Sequence, residues 1–283
     1  MSSFFFLPAF HTLIRRFLAV FAVMLSVSLA GCAYGLSATE LQSRLDTWLP
    51  ADVLLLGEQH DAPDHQALQQ KIVAALAVHG DLAAVALEMA DSGNSTAALA
   101  PDASEEQTRS ALNWNNDAWP WAAYGPAVMS AVRAGVPVLG ANLPRTQMRS
   151  NMADAALDQR LPAAAMAAQQ QLIRQGHCDL LPESQIIPMT RTQIAKDMRM
   201  ADSVQTAVRP GQVVVLITGS VHADKQLGVT QHLPRELRVK AIRLRSGAAV
   251  AGGERESFDD VWLTPATPDK DYCADLAKQL PKR

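Results

Sequence analysis

The sequence lacks the features that identify the commonest hydrolases and nucleic-acid-binding proteins. It contains neither a His-Glu-x-x-His motif nor a Gly-x-Ser-x-Gly nucleophile motif, so two widespread hydrolase signatures are absent. The net charge is only -3 over 283 residues, and no basic block is interleaved with aromatic residues. A nucleic-acid partner is therefore disfavoured. Apart from an alternation of strands and helices, the chain shows no internal repeat.

The first 31 residues predict a lipoprotein signal peptide. Arg15 and Arg16 precede the apolar run 17–30, which is too short for a good membrane span. The run ends in Leu29-Ala30-Gly31-Cys32, which is similar to the lipobox of bacterial lipoproteins. In that motif the signal is cleaved before the cysteine, and the cysteine carries the lipids. A plain signal peptide is the alternative.

The residue after Cys32 favours the outer membrane as the site of the lipid anchor. Ala33 stands where an aspartate would resemble an inner-membrane retention signal, so we expect an outer-membrane anchor that faces the periplasm. Residues 32–49 then form a lipidated tether with a short helix. Cysteine is otherwise scarce, since only Cys178 and Cys273 remain. In an oxidising compartment this pair can form a disulfide; the alternative is two buried free thiols.

Six short apolar segments predict strands. They are 53–56, 83–88, 136–139, 212–218, 240–244 and 260–263. Helices are predicted between them at 39–49, 64–79, 105–112 and 126–134, followed by a helical insertion at about 145–208 that is interrupted near 177–182 and at Pro188. Strands that alternate with helices indicate an α/β domain over 50–283, with a mainly parallel central sheet flanked by helices and a small helical subdomain.

Two helix starts are predicted from single residues. Asp64 is expected to cap the helix that follows the first strand. Pro126 is expected to occupy the first turn of a later helix, which leaves Tyr124 on the loop before it.

Polar residues follow four of the predicted strands. They are Glu58 with His60, Glu88, Asn142 with Arg145, and His222. Because the carboxyl ends of parallel strands lie at one edge of a sheet, we expect these side chains to share one crevice. Gly-x-x-His occurs twice, at Gly57–His60 and Gly219–His222, whereas chance predicts about 0.4 occurrences.

These strand-end groups allow two kinds of chemistry. Glu58, His60, Glu88 and His222 together can bind a divalent transition metal. They can also act as acids and bases, because burial and pairing move their pKa values toward neutrality. The alternative is structural, with the two histidines capping helices or satisfying hydrogen bonds of the core.

The motifs resemble those of the ChaN-like haem-binding uptake lipoproteins, within the wider superfamily of Tiki proteins, TraB proteins and erythromycin esterases. The matching segments are Leu56–Asp61 with Asp64–His65, Leu87–Met89, 119–126, 140–145, His177–Cys178 and Gly219–His222. The paired Gly-x-x-His motif marks the superfamily. The Cys178 region and the lipobox favour the ChaN-like branch.

The resemblance implies a homodimer that holds ferric haem at its interface through a tyrosine ligand and acts in haem or iron uptake with a receptor. Tyr124 is the one tyrosine in a matching segment, since Tyr34 lies in the tether and Tyr272 in the C-terminal tail. We therefore expect Tyr124 to be the iron ligand. Trp119 and Trp121 are expected to wall the porphyrin, and the alternative is an aromatic cluster that fills the core.

Three further residues are expected to contact haem: His60, and His65 and Arg145 as cationic partners of the propionates. For His65 and Arg145 the alternative is a helix cap or an ion pair with a surface acid. Covalent c-type haem is excluded, because the chain has no Cys-x-x-Cys-His. In Tiki-like relatives the motif histidines and strand-end glutamates are associated with metal-dependent peptidase activity. A metal-dependent hydrolase is therefore the alternative function.

Overall fold

The computed structural model describes residues 37–248 and 257–279. The chain divides into two compact units between Thr47 and Trp48. The described part of the first unit consists of Ser37 and the helix α1 (Ala38–Trp48) apart from its last residue, and the Ser37 hydroxyl accepts a hydrogen bond from the amide of Glu40 at 3.1 Å. The predicted signal peptide and lipidated Cys32 lie outside the described residues.

The second unit is built on a six-stranded sheet. Its strands are β1 (Val53–Glu58), β2 (Leu82–Asp91), β3 (Val138–Asn142), β4 (Val213–Gly219), β5 (Val239–Ser246) and β6 (Asp260–Thr264). They lie in the order β3-β2-β4-β1-β5-β6, and every neighbouring pair is parallel. The six predicted strands are all present, and the predicted α/β fold class is confirmed.

Helices cover both faces of this sheet. They are α2 (Pro63–His79), α3 (Glu105–Ala111), α4 (Trp121–Arg133), α5 (Met148–Ala153), α6 (Ala163–Gly176), α7 (Glu183–Ala207), α8 (Ser220–Ala223) and α9 (Tyr272–Gln279). One face buries Val53 and Leu55 against Met200 and Val204 of α7. Because side chains alternate along a strand, Leu54 and Leu56 face the other side, where α2 and α4 pack.

Three predictions about helix boundaries are wrong. Asp64 does not cap α2, because Pro63 occupies the first turn and no side chain caps that end. Pro126 lies inside α4 rather than at its start, because the helix already begins at Trp121. The amide of Trp121 donates a hydrogen bond to the Asn116 side chain at 3.0 Å. Pro188 lies inside α7, and the helix runs through it from Glu183 to Ala207.

The predicted helical insertion contains α5, α6 and α7, together with short 3₁₀ turns at Arg145–Gln147 and Ala155–Gln159. Its small apolar core includes Leu157 and Ile194. The subdomain boundary itself stays a prediction. The predicted disulfide between Cys178 and Cys273 is present, with 5.6 Å between their Cα atoms, so the free-thiol alternative is wrong. It joins the loop after α6 to the start of α9.

Replacing Gly57 with alanine is expected to destabilise the fold. A Cβ atom at Gly57 would lie 2.8 Å from Cβ of Ala223 and 3.0 Å from Cα of Ser220, so α8 would have to move away from β1. We expect the free energy of unfolding to fall by about 1–3 kcal/mol in urea titrations. Gly176→Ala is the matched control, because a Cβ there meets nothing within 4 Å. Equal stability of the two variants would contradict the close approach.

Candidate functional site

Three neighbouring strands bring the predicted site residues to one edge of the sheet. Because β4 lies between β1 and β2, the ends that carry Glu58, Gly219 and Glu88 are adjacent. Glu58 contacts residues of α2 and α4, whereas Glu88 lies on the α7 side. The two carboxylates therefore occupy opposite faces of the sheet at the same edge.

Glu58 is the most completely bonded group of the site. Its Oε1 accepts a hydrogen bond from the Tyr124 hydroxyl at 2.6 Å and lies 2.8 Å from Nδ1 of His60. Its Oε2 accepts the side-chain amides of Gln66 and Gln69 at 3.0 and 2.8 Å. A carboxylate has about four lone-pair sites, so these partners occupy all of them. Glu58 thus anchors its neighbours rather than serving as a free base or an open metal ligand.

His60 connects the two faces of the sheet. Its Nδ1 bonds Glu58, and its Nε2 lies 4.0 Å from Oε2 of Glu88. Burial alone would lower the pKa of His60, but the two carboxylates outweigh it and raise the pKa. The ring crosses directly over Gly219, where an added Cβ would lie 3.0 Å from Nε2. Trp119 contacts the imidazole edge-on, with 4.9 Å between the ring centroids.

His222 is enclosed by two carboxylates on the α7 side. Its Nδ1 lies 2.6 Å from Asp197 and its Nε2 3.4 Å from Glu88. Burial opposes its charge, but Glu88 and Asp197 outweigh burial and raise the pKa of His222 to about 10. Burial raises the pKa of Asp197 to about 6, and the nearby charge of His222 makes this rise smaller than burial alone would give. Near neutral pH His222 is therefore an imidazolium between two carboxylates.

Glu88 is fixed as an anion by the same arrangement. Its Oε2 accepts the Thr218 hydroxyl and the Gly219 amide, both at 2.8 Å. Burial raises its pKa, yet His222 and His60 offset this and hold the pKa of Glu88 well below its usual range.

These strand ends open into a cavity of about 680 Å³, called here the strand-end cavity. The ends of β1, β2 and β4 form its floor, and Gln193 of α7 forms part of one side. Lys270 and Tyr272, from the C-terminal tail, complete the lining. Tyr272 is 49% exposed and donates a hydrogen bond to Asp61, which also lines the cavity. The cavity thus has carboxylates, imidazoles, an ammonium group and a phenol in its wall.

The expected iron ligand Tyr124 lies beneath this surface. It belongs to α4, is 2% exposed and donates its hydroxyl proton toward Glu58. Burial and the negative charge of Glu58 raise the pKa of Tyr124 far above its usual range. Trp119 and Trp114 pack against its ring, and Trp121 packs on Trp114. The indole nitrogen of Trp121 donates a hydrogen bond to Glu105 at 2.9 Å. This part of the site is packed as core.

Two expected haem contacts do not reach the cavity. His65 is fully buried, and its Nδ1 accepts the amide of Gln59 at 3.0 Å. Burial lowers the pKa of His65, so it is not a cationic partner for a propionate. Arg145 is exposed beyond the edge strand β3 and lines neither the strand-end cavity nor a second cavity of about 350 Å³ between α2 and α4.

The four candidate metal ligands do meet at this edge. In the part of the chain that the structure describes, however, no group of three or more histidines, cysteines or acidic residues is arranged to hold a metal ion. Glu58 also has no lone pair left for a metal, because its hydrogen-bond partners already occupy both carboxylate oxygens. The metal-dependent alternative stays a prediction.

Several site residues were missed by reasoning from the sequence. They are Gln66, Gln69, Gln193, Asp197, Lys270 and Tyr272. Asp197 carried a usable signal, because it falls at helical spacing between the buried Ile194 and Ala201 and is the acid on that face. Tyr272 carried another, since it adjoins Cys273 and the disulfide brings it to the Cys178 region.

We expect His222 to remain protonated well above neutral pH. The unfolded chain loses this proton near pH 6.5, whereas the folded protein keeps it to about pH 10. Its stabilising contribution is therefore complete below about pH 6.5 and is lost as the pH rises to about 10. Nitrogen NMR of labelled histidines, assigned with His222→Gln, should show an imidazolium at about pH 8. His65 is the internal control, because burial shifts its pKa downward. A neutral His222 ring at that pH would contradict the ion-pair geometry.

Comparison with known proteins agrees with the resemblance seen in the motifs. The sequence pattern of the family described as "Haem-binding uptake, Tiki superfamily, ChaN" matches residues 45–233. Among solved structures, one described as cofacial haem binding to ChaN of Campylobacter jejuni is 25% identical, with a TM-score of 0.64. That match covers 78% of this chain and 90% of the other.

Two further solved structures are more distant. The type III effector HopBA1 is 15% identical with a TM-score of 0.42, covering 80% of this chain and 94% of that one. A Bacillus cereus protein is 12% identical with a TM-score of 0.44, covering 75% and 70%. No curated protein matches the chain. Because the family pattern spans well over half of the sequence and includes both Gly-x-x-His motifs, the chain belongs to the ChaN family of haem-binding uptake proteins in the Tiki superfamily.

Proposed function

We propose that this protein binds ferric haem and acts in haem or iron acquisition from a lipid anchor on the outer membrane. The observation that carries the proposal is membership of the ChaN family, together with the fold shared with the Campylobacter jejuni protein, whose structure is described as binding haem. A haem-uptake receptor is the partner expected from the same relationship.

The lining of the strand-end cavity fits such a ligand. When bound, haem supplies a ferric iron that favours an anionic oxygen ligand, and its propionates are anionic. Tyr272 offers a phenol in the wall, and the Lys270 ammonium lies 4.9 Å from the centre of that ring. His60 adds an exposed imidazole whose pKa is raised, and Trp119 packs against it. We propose that these residues hold the ring system and its charges.

Tyr272 is the better candidate for the iron ligand. Tyr124, expected from the sequence, would have to give up its 2.6 Å bond to Glu58 and leave the core. Tyr272 is already half-exposed at the cavity, although its hydrogen bond to Asp61 raises the pKa of the phenol. Asp61 is the nearest base for the proton that a phenolate ligand must lose. We therefore place the tyrosine ligand in the tail rather than in α4.

Removing the Tyr272 hydroxyl is expected to abolish tyrosinate ligation. Ferric haem is titrated into the chain from residue 33 onward, and the visible spectrum is recorded. For Tyr272→Phe we expect loss of the phenolate-to-iron band and affinity lower by at least about ten-fold, or about 1.4 kcal/mol. Tyr124→Phe is the matched control, which should lose about 1–3 kcal/mol of stability but keep the native spectrum.

The outcomes of this titration are distinct. A native protein without any saturable spectral change would end the haem proposal. If Tyr272→Phe keeps the native spectrum and Tyr124→Phe loses the phenolate-to-iron band, the iron ligand is Tyr124 in α4. The proposed homodimer is followed in the same samples by sedimentation, where haem should convert monomers into dimers.

The lipid anchor is proposed from the sequence around Cys32. Among the described residues, no helix is both long and apolar enough to cross a membrane. Attachment through lipids on Cys32 would place the domain at the outer membrane, facing the periplasm, an oxidising compartment in which a disulfide such as Cys178–Cys273 can form.

Cys32→Ser is expected to abolish lipid attachment. Cells that express the full chain are fed an alkyne-tagged fatty acid, and the label on the protein is measured together with its membrane fraction. The native chain should carry the label in the outer-membrane fraction, because two or more acyl chains anchor a protein stably. Cys273→Ser is the control and should stay labelled. An unlabelled native chain would reduce the N-terminal segment to a plain signal peptide.

A further inference from the structure

The Cys178–Cys273 disulfide joins two segments that both border the strand-end cavity. Cys178 lies two residues after Gly176, which lines the cavity at the end of α6. Cys273 directly follows Tyr272, which also lines the cavity. The covalent link therefore joins the helical insertion to the C-terminal tail beside the cavity, with 5.6 Å between the two Cα atoms. Residues 270–273 are called the strap below.

Non-covalent contacts hold the strap only weakly. Among the described residues, Tyr272 bonds Asp61, and Lys270 lies over the Tyr272 ring. Upstream, Thr267 is tied to Ser246 at the end of β5, with its amide 2.7 Å from the serine oxygen. The side chains of the strap are all exposed, and hydrogen bonds and ion contacts that compete with water stabilise little. The disulfide is thus the strongest constraint on the position of Tyr272.

The loop at the other end of the disulfide has an unfavourable backbone conformation. Cys178 and Asp179 have φ angles of 57° and 56°, in the left-handed region that residues with a side chain rarely occupy. Two such residues in succession persist only when surrounding contacts impose them. The amides of Cys178 and Asp179 donate hydrogen bonds to the carbonyls of Gln175 and Arg174, each at 2.9 Å, so the end of α6 and the disulfide hold this loop together.

The two cysteines lie at the surface of the domain or close to it. Cys273 is exposed and Cys178 half-buried. Exposed disulfides exchange with thiolates far more readily than buried ones. This bond therefore lies where it can be opened in the folded protein.

We propose that the Cys178–Cys273 disulfide is a redox-controlled closure of the strand-end cavity, which positions Tyr272 while it is intact and releases the ligand when it is reduced. The inference rests on the proposed haem function for the identity of the ligand, but not for the movement of the strap. A dithiol reductant supplies two electrons and two protons, leaves two cysteine thiols and becomes a cyclic disulfide itself.

The first test uses the haem-free protein from residue 33 onward. Amide hydrogen exchange is measured by mass spectrometry with the disulfide intact, after treatment with a dithiol, and after reoxidation. Reduction should accelerate exchange of the segments 174–181 and 268–279 by about ten-fold or more, while the amides of β1 and β4 are unchanged. Reoxidation should restore the slow exchange.

A double variant provides the matched control. Cys178→Ser with Cys273→Ser should exchange like the reduced protein and should not respond to the dithiol. Unchanged exchange in the reduced native protein would overturn the proposal, because the strap would then be held without the disulfide. Faster exchange throughout the sheet would overturn it too, since the bond would stabilise the whole fold rather than the closure.

The second test measures ligand release without any reductant, which could also reduce the iron. The native protein and the double serine variant are loaded with ferric haem, and transfer to excess apomyoglobin is followed by absorbance. The variant should release haem about ten-fold faster or more, because its phenol is no longer held at the cavity. Equal release rates would overturn the role of the strap. If the native protein takes up no haem, the proposed function fails. The movement of the strap is then tested by the hydrogen-exchange experiment alone.

Discussion

The site depends on one close approach, the passage of the His60 ring over the end of β4. This is possible because Gly219 has no side chain, and an added Cβ would lie 3.0 Å from the imidazole. The other motif glycine has the reciprocal role, since Gly57 leaves room for the α8 turn that carries His222. Each glycine of the paired motif therefore makes space for the turn that bears the other histidine.

The charges at this edge are balanced by different means on the two faces of the sheet. On the α2 and α4 side, Glu58 is satisfied largely by neutral donors from Gln66, Gln69 and Tyr124, with His60 as the remaining partner. On the α7 side, the imidazolium of His222 pairs with Glu88 and Asp197. Burying an anion is costly unless hydrogen bonds or opposite charges compensate it. The buried charges of this polar layer are thus compensated on both faces of the sheet.

The parts of the fold that local sequence dictates could be predicted. Continuous apolar runs such as Leu54–Leu56 identify buried parallel strands, and two Gly-x-x-His motifs after strands locate the functional edge. The starts of helices were predicted less reliably. At the start of α4 the Asn116 side chain accepts a hydrogen bond from the Trp121 amide, and the preference of proline for the first turn of a helix does not reveal this contact. Tyr124 was therefore assigned to a loop, whereas it lies inside a helix and in the core.

Contacts between distant parts of the chain account for the residues that were missed. Asp197 and His222 come into contact only when α7 packs on the sheet. Gln66 and Gln69 donate hydrogen bonds to Glu58 only when α2 folds back on β1. The Cys178–Cys273 pair was inferred from the number of cysteines. Its effect on the neighbouring Tyr272 depends on three-dimensional geometry that the number of cysteines does not contain.

The walls of the strand-end cavity come from opposite ends of the domain. Glu58 belongs to the first strand, whereas Lys270 and Tyr272 follow the last strand, β6. A chain still emerging from the ribosome can form β1 and its turn long before these tail residues exist. Enclosure of the cavity consequently comes after all six strands have been made, and the site stays open until the tail docks.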